Sequence, residues 1–178
     1  ETHILELPST SNLNSTSKIR AALESSKIEY VQRLSVETRT SLADSIAALK
    51  EVKSLYGTQL DAFVAALSSS IHCTQGPPGT GKSYLGVCLV LALDLIRSKI
   101  EKNCRVSIGP ILLLSYKNHA LDEFLLDIVE SSSSGIFKSP GNLIRTGKLE
   151  IEQLRRYSEK MSPLEKDAQE ELDMRVKC

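Results

Sequence analysis

The chain has no tryptophan, and aromatic residues make up only 4% of its 178 positions, against 41% apolar residues. That shortage argues against an aromatic-rich sandwich and for an aliphatic α/β or helical core. Net charge of either sign is also missing, because 22 basic and 22 acidic residues cancel. No global field draws in a polyanion, so any nucleic-acid contact has to be local. Paired cysteines are missing too. Cys73, Cys88, Cys104 and Cys178 are scattered, with no C-x-x-C and no histidine at metal-ligand spacing, which argues against a zinc site or a disulfide framework. Reduced cysteines beside apolar segments behave as small hydrophobes and imply a reducing compartment.

Long hydrophobic runs are absent. Nothing reaches the roughly 18 to 20 apolar residues of a membrane span, and the opening ETHILELPSTSNLNSTSK has neither a basic n-region nor a continuous apolar core. The chain reads as a soluble intracellular protein, cytoplasmic or nuclear, with no membrane partner. Its length suits one domain with a sizeable core and is short for a machine that closes two domains on each other. It begins with Glu1 rather than Met and stops after a charged segment, which suggests a piece of something longer. No internal repeat is visible.

What is present is a helical lead-in followed by alternating strand and helix signals. Residues 17–56 read as helical, with Leu42, Ile46 and Leu49 at i, i+4, i+7. Leu60, Phe63, Val64 and Leu67 predict a further helix that the serines at 68–70 end. Residues 71–74 predict a short strand, 76–81 a turn, and 83–96 a helix apolar on nearly every face, as expected of one buried against a sheet. A charged stretch at 97–105 separates this unit from a second: an aliphatic strand at 110–115 and a helix at about 119–130 with Leu121, Leu125, Ile128 and Val129 inward. A third strand is expected at 142–146. From Lys148 onward the pattern is charged and helical, with Leu149, Leu154, Tyr157 and Met161 as its sparse apolar positions. Strands alternating with helices imply a parallel sheet with right-handed crossovers.

The chemistry lies in GPPGTGKS at 76–83. Gly76, Pro77, Pro78, Gly79, Thr80, Gly81, Lys82 and Ser83 satisfy G-x-x-x-x-G-K-[ST] between a predicted strand and a predicted helix, the context this phosphate-binding loop requires. Glycines let the backbone fold around a phosphate so that successive N–H groups face its oxygens, and the prolines stiffen the loop. The helix that follows brings unpaired N–H groups and roughly half an elementary charge of dipole to the same anion. Lys82 is expected to reach the β- and γ-phosphates of ATP and Ser83 to ligate Mg²⁺, which makes these two the catalytic candidates. Tyr84, next in the helix, joins the nucleotide-binding set.

The loop alone does not separate an AAA-type ATPase from a superfamily 1 helicase. Its surroundings resemble the Upf1-like branch of superfamily 1 helicases, most closely the NFX1-type zinc-finger-containing ones. YGTQLDAFVAAL resembles that branch's Q motif, with Gln59 lying 17 residues before Gly76. The resemblance implies that Gln59 reads adenine, and a side-chain amide offers the donor and acceptor that an adenine edge needs. ILLLSYKNHALDEFL at 111–125 resembles motif Ia, implying that Ser115, Tyr116, Lys117 and Asn118 contact single-stranded nucleic acid. Ligands do collect at the carboxyl ends of parallel strands. Lys117 departs from the Ser or Thr common in the branch and adds positive charge. Asp122 suits a helix brace better than an anion contact. NLIRTGK at 142–148 is similar to a strand ending in Arg-x-Gly, here Arg145 and Gly147.

The resemblance implies an α/β fold: a P-loop NTPase of RecA-like type, a parallel sheet with flanking helices and helical extensions at both ends. It divides the chain into a lead-in at 1–56, a partial RecA-like ATP-binding domain at 57–148, and a charged helical segment at 149–178 that starts an accessory insertion. It also implies a monomer acting on single-stranded RNA or DNA, RNA favoured, in RNA surveillance or silencing. A Walker B strand ending in Asp-Glu and a second motor domain are missing from the sequence, so binding of nucleotide without turnover is expected. A remodelling ATPase and a non-catalytic P-loop module stay open as alternatives.

Overall fold

The computed structural model describes residues 15–131 and 143–158. The chain divides into two compact units, Glu1–Leu112 and Leu113–Cys178. In the first, the described residues form helices α1 (Ser15–Glu24), α2 (Glu29–Gln32), α3 (Val36–Ala48), α4 (Lys50–Lys53), α5 (Gly57–Ser68) and α6 (Lys82–Cys104). Helix α1 lies against α3 and α5, and both of those lie against α6. Their shared core holds Ile19, Leu23, Leu42, Ile46, Phe63, Leu67, Cys88 and Ile100. The apolar residues predicted to line the helices supply it: Leu42 and Ile46 from α3, and Leu60, Phe63 and Leu67 from α5.

Over its described residues, 15–56, the lead-in is four helices rather than one continuous run, and its first break has a polar cause. Ser26 is buried and its Oγ donates to the Leu67 carbonyl at 3.0 Å, while Lys27 N donates to the Ser68 carbonyl at 2.9 Å. Those are end-of-helix carbonyls of α5 that no intrahelical N–H can satisfy. The α1–α2 turn satisfies them at the expense of its own helix. Ser35 then starts α3 as its cap, its Oγ accepting from Thr38 N at 3.3 Å.

Helix α6 outruns the expected end at residue 96. Ile100 lies one turn past Ile96, both are buried, and the core therefore continues through the charged stretch. The helix stops at Arg105, in the left-handed conformation with φ 51°. Burial pushes the α6 thiol of Cys88 up to about 12, and the charge of Glu51 adds to the effect.

The strands expected at 71–74, 110–115 and 142–146 are not found as paired strands among the described residues. One isolated parallel bridge, Arg145 to Ser158, is the pairing recorded there, and residue 142 lies outside them. A strand exists through its neighbours, since its hydrogen bonds are all made to another segment. Ile71 and Leu114 are 91% and 84% exposed, not covered as the residues of a parallel sheet are.

The second unit holds α7 (Asn118–Ser131) and a 3₁₀ turn, Glu152–Tyr157. Leu125, Ile128 and Val129 of α7 are buried, as are Leu154 and Tyr157 of the turn. Of the charged segment, Glu152–Tyr157 is a 3₁₀ turn; the part past residue 158, with Met161 and Cys178, lies outside the described residues. Among the described residues no group of acidic, histidine or cysteine side chains is placed to hold a metal ion, and no helix is long and apolar enough to cross a membrane.

Candidate nucleotide and nucleic-acid sites

The loop at 76–83 runs into the first turn of α6. Gly79 and Gly81 take the left-handed conformation, with φ 79° and 77°. At Gly81 the requirement is double, because a Cβ there would stand 2.6 Å from Gln59 Nε2. Gly81→Ala is therefore expected to destabilise the first unit by about 1–2 kcal/mol from the backbone alone and to push Gln59 off the loop. Thermal melting reads the first effect, and an unchanged midpoint would refute the left-handed turn.

The ammonium of Lys82 lies inside its own loop. It donates to the carbonyls of Gly76 at 2.8 Å and of Pro77, with Thr80 Oγ1 at 3.4 Å. Thr80 Oγ1 donates in turn to the Pro77 carbonyl at 2.8 Å. Leu85 N makes the first recorded helical bond, to the Gly81 carbonyl at 2.9 Å, and no side chain caps the helix start. The main-chain N–H groups of Lys82, Ser83 and Tyr84 thus have no intrahelical partner, and Ser83 is exposed beside them. A cation and open amides at the mouth of one helix form an anion-binding arrangement.

Gln59, at the start of α5, meets this loop: its Nε2 donates to the Thr80 carbonyl at 3.1 Å. The amide keeps its second N–H and its Oε1, one donor and one acceptor. Pro77, Pro78 and Gly79 are exposed on the loop. Tyr84 points elsewhere. Its hydroxyl pairs with Ser54 Oγ at 2.6 Å and donates to the Glu51 carbonyl at 3.1 Å, which ties α6 to α4 and leaves only the main-chain N–H of Tyr84 at the helix mouth. Neither Glu51 nor Ser54 carries a motif that sequence reasoning could have found.

In the second unit, Ser115, Tyr116 and Lys117 form an exposed turn into α7. Ser115 Oγ accepts from Lys117 N at 3.4 Å and donates to the Lys117 carbonyl at 3.2 Å. Tyr116 has no cover at all, at 101% relative exposure. Asn118 opens α7, and its Oδ1 accepts from Arg145 Nη2 at 3.2 Å.

Behind this turn lies a buried ion pair. Arg145 Nε donates to Asp122 Oδ1 at 2.6 Å, and the two side chains are 3% and 0% exposed. The other oxygen of Asp122 accepts from the main-chain N–H groups of Glu150 at 2.8 Å and Ile151 at 3.2 Å. Burial works against the Asp122 charge, but the Glu150 N–H, Arg145 and the Ile151 N–H together outweigh it and hold the carboxyl below its ordinary range. Asp122 is thus a brace, and it is committed to Arg145 instead of to a metal ion. Gly147 follows in the left-handed conformation, φ 85°. Arg145 was visible in the sequence only as part of Arg-x-Gly; no spacing marks its partnership with Asp122 and Asn118.

A family model described as an AAA domain matches residues 54–177, which makes the chain a P-loop NTPase. The chain is 39% identical over 92 residues to the "NFX1-type zinc finger-containing protein 1" of Mus musculus, and 37% identical over 92 residues to that of Homo sapiens. These matches cover 52% of the chain and 5% of each relative. It is 34% identical over 80 residues to the "Helicase required for RNAi-mediated heterochromatin assembly 1" of Schizosaccharomyces pombe, 45% of the chain and 7% of that protein. No solved structure matches. The chain belongs to the AAA domain family, and its sequence is similar to that of Upf1-like superfamily 1 helicases. The matched part spans only 5 to 7% of the length of these curated relatives.

Proposed function

We propose that the chain binds ATP with Mg²⁺ on the loop at 76–83 and single-stranded nucleic acid, RNA in the first instance, on 115–118, as the nucleotide-binding part of an ATP-dependent helicase. The observation that carries this is the placement of the Lys82 ammonium among the loop carbonyls at the open start of α6. On ATP binding, Lys82 exchanges those carbonyls for the β- and γ-phosphate oxygens, trading neutral acceptors for charged ones. The open N–H groups of Lys82 and Ser83 donate to the same anion. Gln59 offers its remaining donor and acceptor to the adenine edge.

Ser83 fits a magnesium ligand: a hard oxygen, exposed, on the first helical turn after the lysine. When bound, the ion neutralises charge on the phosphates. The exposed segments at 71–74 and 110–115 belong in this reading to a parallel RecA-like sheet. The lead-in at 1–56, the ATP-binding domain at 57–148 and the start of an insertion at 149–178 follow the same reading, as do a monomeric state and an intracellular setting. The name of the Schizosaccharomyces pombe relative favours RNA silencing as that setting.

Turnover by the chain alone is not part of the proposal. Asp122 and Glu123 form an adjacent acid pair, but Asp122 is bound up with Arg145, and hydrolysis needs an acid free to hold the ion. Calorimetric titration tests the reading. Lys82→Ala should weaken ATP binding by about 10- to 150-fold, the worth of a charged hydrogen bond. Equal affinities for the two proteins would overturn it.

A further inference from the structure

Arg145 has a second consequence beyond its ion pair. We propose that Arg145 is a positioning residue for nucleic-acid binding: it holds the Asn118 carboxamide with the oxygen inward and the NH₂ outward, as a donor to a backbone phosphate. The inference rests on the reading of 115–118 given above.

A guanidinium only donates, so the Asn118 atom 3.2 Å from Arg145 Nη2 has to be the amide oxygen. An asparagine without such a neighbour is free to present either end. Arg145 cannot swing away, because its other donors are committed to Asp122 Oδ1, the Lys148 carbonyl at 2.9 Å and the Thr146 carbonyl. At 3% exposure it also cannot reach a phosphate itself. Its charge is spent on Asp122, and what it exports is orientation. The NH₂ of Asn118 has no partner among the described residues, and the exposed Lys117 stands next to it. A neutral donor so placed binds phosphate without reading the base.

The test uses the full chain, with fluorescence anisotropy on labelled oligo(U) and oligo(dT). Asn118→Asp keeps an acceptor for Arg145, so its melting temperature should hold or rise. Its binding should fall about tenfold or more, because both donors are replaced by a negative charge. The loss should be equal on the two oligonucleotides, since the phosphate is common to both. Asn118→Ala should weaken binding without changing the slope of log K against log salt, whereas Lys117→Ala should lower that slope by about one. Arg145→Lys in a folded protein should weaken binding and make it insensitive to Asn118→Ala.

In amide-labelled protein the Asn118 side-chain NH₂ resonance should shift when oligonucleotide is added, a readout that does not depend on any variant folding. If Asn118→Asp binds as tightly as the parent and that resonance stays put, the inference is overturned while the wider reading stands. If the parent chain binds neither oligonucleotide, the wider reading falls first.

Discussion

Asp122→Ala is expected to destabilise the second unit by about 3–5 kcal/mol, because it leaves the Arg145 guanidinium buried and unpaired. The loss goes beyond one contact. Asp122 also accepts from the N–H groups of Glu150 and Ile151, so both would be left without their acceptor. Hydrogen exchange in α7 measures the effect, and protection equal to that of the parent would refute the brace.

The same carboxylate makes the unit sensitive to acid, with a definite sign. Its folded-state pKa lies below the ordinary aspartate value, so the unfolded chain takes up the proton first. The contribution is complete above the unfolded pKa and disappears as pH falls through the folded one. Stability of α7 should therefore be level near neutrality and decline below the usual carboxylate range. In Asp122→Asn that decline should be much shallower, since the titrating group is gone.

Phe63→Ala should have a comparable effect in the first unit. Phe63 is fully buried on α5, which lies against both α1 and α6. Removing a buried phenyl ring from such a place costs about 3–5 kcal/mol, a large share of the roughly 5–15 kcal/mol that a domain has in total. The urea midpoint should fall accordingly, while Thr58→Ala, at an exposed position on the same helix, should change stability by no more than about 0.5 kcal/mol. Gln59 lies one turn before Phe63, so the loosened helix should also lose its hold on the Thr80 carbonyl. A midpoint unchanged by Phe63→Ala would mean that α5 is not packed as described.

Periodicity was a good guide to which apolar side chains are covered. Leu60, Phe63 and Leu67 on α5, and Leu125, Ile128 and Val129 on α7, are buried as their spacing predicts. It was a poor guide to where helices stop. Ser26 and Lys27 break the lead-in through bonds to α5 carbonyls 41 residues away, and Ile100 prolongs α6 through a core that only exists once α3 and α5 are in place.

The phosphate loop was legible from residue order alone, because that chemistry is local: glycines at 79 and 81 for the left-handed turn, a lysine and a serine at the helix start. Fold family followed from the same residues and their neighbours. What meets the loop, and what supports the turn at 115–118, depends instead on tertiary packing. The Gln59 contact to Thr80, the Tyr84 hydroxyl on α4, and the Arg145 bridge to Asp122 and Asn118 join residues 21 to 33 positions apart. No periodic pattern encodes such pairs, since a buried charge or amide finds its partner through the packing around it rather than through its place in the chain.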